Sequence, residues 1–373
     1  MTAAAPDLAS WVVWGGFALA FLFGAIAHRS NFCTMGALSD IVNMDHWGRM
    51  RMWLLAIAVA VAASAALSLT GQVDLGKSVV QRPVLPWLSL VVGGLAFGVG
   101  MTMSGGCANK NLVRLGGGSV RSLVVLVFMA IAAYMTLKGL FGQWRAALLD
   151  PVAIDLAASG WKDQSLGTAL ARVGGLEARA AQIGVASAVV LALLAFSLKD
   201  RRFRANRVQV ASGIALGLLV AAGWYVSGHL GYGENPETLE TVFHGTNSRT
   251  LESLSFVGPT AYTLELLMLW TDKSLHATMG IASVLGVVAG SAMVALATRS
   301  FRWEGFASLA DLRNQLIGAG LMGFGGVTAL GCTVGQGLSG ISTLAIGSFI
   351  ALAGIVAGSV LTLKVMLWKM EQE

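Results

Sequence analysis

From Asn314 to Leu363 the chain runs for 50 residues without a charged side chain. A bilayer core takes about 20 apolar residues per helix, so this run holds two crossings with a break between them. Gly331, Gly335, Gly337 and Gly340 mark the break. The two crossings are 314–331 and 341–363, and seven further stretches qualify: 11–28, 53–73, 84–106, 120–138, 180–198, 208–227 and 274–298. Of 373 residues, 55% are hydrophobic and 12% charged, where a soluble chain carries about 25% charged residues. These figures exclude a soluble enzyme, a disordered chain and a collagen repeat.

The expected fold is an all-α polytopic membrane protein with about nine transmembrane helices. Residues 1–373 form one membrane domain. The first apolar run has no A-x-A-like cleavage site after it and reads as a retained span rather than a signal peptide. Segment 253–271, with Pro259 and Glu265 inside it and Asp272 at its edge, reads as interfacial or re-entrant. Segments 139–179 and 228–256 read as extramembrane connections, the first with short helices.

Lys and Arg counts set the orientation, because they favour the cytoplasmic side. With the N-terminus outside, the cytoplasmic segments are 29–52, 107–121, 199–207, 299–313 and the tail from 364. They hold 16 basic and seven acidic residues, against nine basic and twelve acidic elsewhere. Lys199, Arg201, Arg202, Arg204 and Arg207 give the strongest signal, facing Glu234, Glu237, Glu240 and Glu252 across one span. The C-terminus is then cytoplasmic, and the net charge of +6 reflects orientation rather than nucleic-acid binding.

Two glycine-rich segments resemble each other. An offset of 225 aligns Gly93 with Gly318, Gly98 with Gly323, Gly100 with Gly325, Gly106 with Gly331 and Cys107 with Cys332. In a nine-crossing topology the two run in opposite directions. Inverted repeats of interrupted helices point to a transporter site near the bilayer midplane. The halves are about 1–190 and 191–373, related by a pseudo-two-fold axis. The plainer explanation is that glycines let helices pack closely, but it leaves the polar residues beside both cysteines unexplained.

Three segments carry the chemistry: His28 to Gly36, Ser104 to Asn111, and Gly331 to Gly337. Each puts a cysteine, Cys33, Cys107 or Cys332, at the end of an apolar stretch beside small and polar residues. Glycines let the backbone leave the helix, which membrane depth tolerates only where it lines a cavity or is buried in protein. A broken helix offers free N–H groups to an anion. A thiol is a weak donor and a polarisable contact that suits a soft sulfur atom. Gly105, Gly106, Asn109, Lys110, Gly331, Thr333, Gln336 and Asn31 are candidates for an anion cradle. Each has a structural alternative: a cytoplasmic flank for Lys110, backbone satisfaction for Asn31, Asn109 and Gln336. The tryptophans read as interface-belt residues and the methionines as packing.

The cysteines have no CxxC partner and no His pair, which argues against zinc, haem or a disulfide scaffold. We expect no cofactor and no metal. A membrane thiol or persulfide oxidoreductase, or a sulfur sensor without flux, remains the alternative class.

SNFCTMGALSD, SGGCANKNLVRLGGG and GCTVGQGLSG resemble the YeeE/YedE family of sulfur-related membrane transporters, and the resemblance runs over most of the chain. It implies thiosulfate uptake across the bacterial inner membrane by a protein that is not an enzyme. It implies an hourglass-like central path lined by Cys33, Cys107 and Cys332, with loops dipping from both faces. It also implies a small cytoplasmic sulfurtransferase partner of the TusA/YeeD type. The connections at 139–179 and 228–256 depart from shorter members, and sulfite or a sulfane-sulfur species stands beside thiosulfate as a substrate. No assigned span holds an Asp or Glu well inside it, which weakens a proton relay and favours channel-like passage with trapping downstream.

Overall fold

The structure is a computed structural model and describes residues 8–175, 177–234, 241–306 and 308–372. Glu237 and Glu240 of the acidic connection lie outside these residues. Helices dominate: α1 Leu8–Ser30, α2 Thr34–Met44, α3 Gly48–Leu69, α4 Trp87–Met103, α5 Ala108–Gly116 and α6 Val120–Lys138. The connection that follows carries α7 Leu140–Trp144 and α8 Leu166–Gly174, then come α9 Ala178–Leu198, α10 Arg201–Ala205 and α11 Arg207–Tyr225. The remainder is α12 Val257–Met268, α13 Met279–Ala297, α14 Leu309–Thr328 and α15 Ile346–Met370.

Eight helical segments among the described residues are long and apolar enough to cross a membrane. The chain is an all-α, multi-pass membrane protein. The ninth expected crossing is α14, which has 20 residues but opens on Asp311 and Arg313. Those charges lower its mean apolarity without shortening it. The weak stretch at 253–271 condenses into the 12-residue α12. At 1.5 Å per residue that is about 18 Å, too short to span. Segment 139–179 contains short helices, as its mixed composition suggests.

The connections sort onto two faces. On one, Gln81 Nε2 donates to the Thr343 carbonyl at 2.7 Å, and Leu166 N–H to the Leu344 carbonyl at 3.0 Å. On the other, Arg302 N–H donates to the Gly117 carbonyl at 3.0 Å, and Arg51 Nη1 to the Phe196 carbonyl at 2.6 Å. Cys33 and Cys107 lie where α1 and α4 end on the second face. Cys332 lies where α14 ends on the first.

At the centre, α4 packs against α14 through glycines. A Cβ on Gly93 would stand 2.9 Å from the Gly325 carbonyl oxygen, and one on Gly100 would stand 2.6 Å from that of Gly318. No side chain fits there, so the two backbones touch. The alignment that pairs Gly93 with Gly318 and Gly100 with Gly325 turns the first contact into the second.

The tryptophans divide. Trp11, Trp14, Trp270 and Trp303 are exposed, but Trp53 and Trp224 are buried in the core, which corrects their reading as belt residues. Trp224 is held there because its indole N–H donates to the Ser342 hydroxyl at 2.8 Å.

One ion pair, with a buried carboxylate and a part-exposed guanidinium, ties α2 to α3. Asp40 is 4% exposed, and the Arg49 guanidinium grips both its carboxylate oxygens. Arg49→Met strands that carboxylate, which costs about 3–5 kcal/mol. The expected result is a clear drop in thermal midpoint in detergent. Asp40→Asn combined with Arg49→Met should recover part of the loss. Equal midpoints for wild type and Arg49→Met would contradict it.

Candidate functional site

The three cysteines occupy one position in three copies of a single backbone motif. Each follows a helix that ends on a left-handed residue: Asn31 (φ 53°), Gly105 (φ 67°) or Leu330 (φ 57°). The N–H of that residue donates to the carbonyl three positions back: His28 at 3.4 Å, Thr102 at 3.1 Å, Val327 at 3.0 Å. The next N–H reaches five back: Ala27 at 3.2 Å, Met101 at 2.9 Å, Gly326 at 2.8 Å. This pair of bonds is the Schellman ending, which stops a helix while satisfying its last carbonyls. The cysteine comes two residues after the left-handed one in all three.

From each cysteine the chain turns into a new helical segment. Cys33 is the N-cap of α2 and Cys107 that of α5. Cys332 leads into a buried π-helical turn, Gly335–Gly340. The Cys33 Sγ accepts the Gly36 N–H at 3.3 Å, and the Cys332 Sγ accepts that of Gly335 at 3.4 Å. Sulfur stands where serine or threonine normally caps a helix. A capping hydroxyl would compete harder for those N–H groups. The thiol leaves them more open to an incoming anion.

All three thiols are free and buried, at 5%, 1% and 0% exposure in chain order. Cys33 and Cys107 are close enough to influence each other, and the Thr333 hydroxyl, buried without a hydrogen-bond partner, lies near Cys107. Thr333 directly follows Cys332. Thr333 thus places a polar side chain from the break on one face near a thiol at the breaks on the other.

The two ends differ in charge. Beside Cys33 and Cys107, Lys110 Nζ donates to Asn31 Oδ1 at 3.1 Å, and Arg114 Nη1 to the Gly105 carbonyl at 2.9 Å. Both cations act electrostatically on Cys33. At the Cys332 end a cavity of about 240 Å³ opens above Gly331 and Gly335, with Asn247, Glu252 and Tyr262 in its outer wall. The two ends together could pass a small anion along a line of neutral, polarisable groups.

The profile described as "Sulphur transport" matches residues 29–361. The chain belongs to that family. It is 24% identical over 352 residues to the thiosulfate transporter TsuA of Spirochaeta thermophila, covering 93% of this chain and 97% of that one. It is 25% identical over 355 residues to the thiosulfate transporter TsuA of Escherichia coli strain K12, covering 93% and 92%. This member of the sulphur-transport family is a transport protein rather than an enzyme.

The transporter brings most of the candidate residues together. Asn31, Gly105, Gly106 and Lys110 surround the Cys33–Cys107 end, while Gly331, Thr333 and Gln336 surround Cys332. Lys110 reaches in to Asn31 rather than out as a simple flank. Gln336 Nε2 is spent on the Ala329 carbonyl at 2.7 Å, the backbone-satisfying alternative, and its Oε1 has no partner. Asn109 is 1% exposed with Oδ1 unpartnered, and no described contact ties it to a thiol. Sequence reasoning missed Arg114, Glu252 and Trp53. The Trp53 indole N–H is buried without a partner, and its ring faces Gly337. It also left Cys33 without a counterpart, although Cys33-Thr-Met-Gly36 repeats as Cys332-Thr-Val-Gly335. That four-residue match was the available signal.

Proposed function

We propose that this transporter takes up thiosulfate across the bacterial inner membrane, with its N-terminus outside and its C-terminus cytoplasmic. The anion sheds water in the cavity above Gly331 and meets backbone N–H groups freed by the broken helix. Its terminal sulfur then accepts S–H contacts from Cys332, Cys107 and Cys33 in turn. Each contact is weak, as passage requires, because a site that binds tightly does not release its ion. The thiols act in their neutral form, since a thiolate would repel a dianion. Lys110 and Arg114 receive the anion at the inner end. A small sulfurtransferase of the TusA/YeeD type consumes it there. Removal matters because the membrane potential opposes an entering anion by about 2.3 kcal/mol per charge per 100 mV.

What supports this reading is that Cys33, Cys107 and Cys332 follow three copies of one helix ending, with Cys33 beside Cys107 and the buried Thr333 hydroxyl near Cys107. We read the two halves, about 1–190 and 191–373, as an inverted repeat meeting at these endings. The reciprocal contacts of Gly93 with Gly325 and of Gly100 with Gly318 support that symmetry.

The test is uptake of radiolabelled thiosulfate by purified protein in liposomes, competed with sulfate, sulfite and selenite. Sulfate keeps the charge and shape but replaces the terminal sulfur with oxygen. It is expected to compete poorly. Equal competition by sulfate, or no uptake by the liposomes, would overturn the reading.

A further inference from the structure

Glu252 puts a carboxyl group in the wall of the cavity that Gly331 and Gly335, on either side of Cys332, also line; in the transport reading the anion crosses this cavity. It lies on the connection between α11 and α12, outside every membrane-crossing helix. Its Oε1 accepts the Ser248 N–H at 2.8 Å, and its own carbonyl accepts the Ser227 hydroxyl. These bonds fix the loop and hold the carboxyl toward the cavity.

Its charged surroundings are sparse. From its own loop, Asn247 and Ser248 face it. From α12, Tyr262 lies close enough to be influenced by its charge. Arg145 lines the same cavity, but its Nε is committed to Asp150 at 3.1 Å. Lys138 and Glu265, which act on Tyr262 from behind, are paired with each other at 2.5 Å. From α13 and α14 the cavity receives Met279, Gly280, Ser283, Gly326 and Val327, all uncharged. Among the described residues no cation forms an ion pair with Glu252. Burial pushes its carboxyl above the usual carboxylate range, outweighing the hydrogen bonds from Ser248 and Asn247 that favour the charged form.

We propose that Glu252 is a proton-operated gate on the anion path: a sulfur anion passes to Cys332 only while this carboxyl is neutral. A carboxylate in a cavity of this size repels a dianion, whereas a carboxylic acid does not and offers an O–H donor. The proton comes from the outer solution and returns to it once the anion has passed. Linkage gives the sign. The anion favours the protonated form, so its binding takes up a proton, and acid favours its binding. Counting acidic residues inside spans could not find this group, because it sits on a loop folded into the protein.

The inference rests on the transport reading, and its test separates the two. Thiosulfate uptake into proteoliposomes is measured with external pH varied between about 5.5 and 8, over which one group can change a rate at most tenfold per unit. The wild type should slow as pH rises. Glu252→Gln should run near the wild-type acid rate at every pH. A Glu252→Gln profile matching the wild type overturns the gate. So does a variant that melts like the wild type yet is inactive throughout. If Glu252→Gln does not fold, Glu252→Asp is used, and an unshifted midpoint overturns the proposal. A wild type inactive on thiosulfate at every pH overturns the transport reading instead. The gate is then tested with sulfite, read as the ratio of wild-type to Glu252→Gln uptake at each pH because sulfite itself gains a proton in this range: a ratio that falls as pH rises supports the gate, and a constant ratio overturns it.

Discussion

Cys107→Ser is expected to cut thiosulfate uptake by about tenfold or more, equivalent to at least ~1.4 kcal/mol on the barrier. Cys107 sits between the other two in the proposed relay: its thiol is near Cys33 and near the unpartnered Thr333 hydroxyl. At 1% exposure its sulfur has no water to replace it. Serine preserves the shape of the cap but exchanges a soft, weakly bonding atom for a hard one. It would hold the N–H groups of α5 to itself and leave the sulfur of the substrate without a matching contact. The protein should otherwise fold normally, because Cys107 occupies an N-cap position without a side-chain cap bond to lose, and serine is favoured there. Uptake is read in liposomes, with the thermal midpoint as the folding control. A normally folded Cys107→Ser protein transporting at the wild-type rate would remove the relay from the mechanism.

The second large effect falls on the scaffold. A side chain at Gly98 would drive into the Ile355 carbonyl of α15, with the Ser359 nitrogen 2.8 Å from the new Cβ. Both obstacles are backbone and neither can rotate away. Overpacking of a core costs about 1–3 kcal/mol where side chains can adjust, and here they cannot. Gly98→Leu should therefore fail to accumulate as a monodisperse species after detergent extraction. Gly320 on α14 is the control, since a Cβ there meets nothing within 4 Å. Gly320→Leu should extract like the wild type. Equal yields from both variants would show that the α4–α15 contact does not hold the fold.

The fold was readable because lipid imposes a simple rule: each crossing must satisfy its own backbone and be apolar for about 20 residues. The stretches 120–138 and 180–198 fall almost on α6 Val120–Lys138 and α9 Ala178–Leu198. The break in the 50-residue run was readable from its glycines, and the structure puts the π turn Gly335–Gly340 there. What stayed hidden depends on tertiary placement. The left-handed residue before Cys332 is Leu330, which carries no sequence signal for that conformation, unlike Gly105. Trp53 and Trp224 look the same in sequence as the exposed tryptophans. Which of them is buried depends on neighbours far along the chain, such as Ser342. Glu252 was counted as one of a charged loop, and only the folding of that loop over the broken helix turns it into a cavity wall.

The central claim is that a sulfur anion makes direct contact with the buried thiols. Protection from alkylation tests it most directly. The intact protein in liposomes is treated with a small permeant maleimide, and labelling of Cys33, Cys107 and Cys332 is followed by mass spectrometry. Thiosulfate is expected to slow labelling of Cys332 and Cys107, while sulfate at the same concentration leaves it unchanged. Labelling at the same rate with thiosulfate, with sulfate and with neither would contradict the claim.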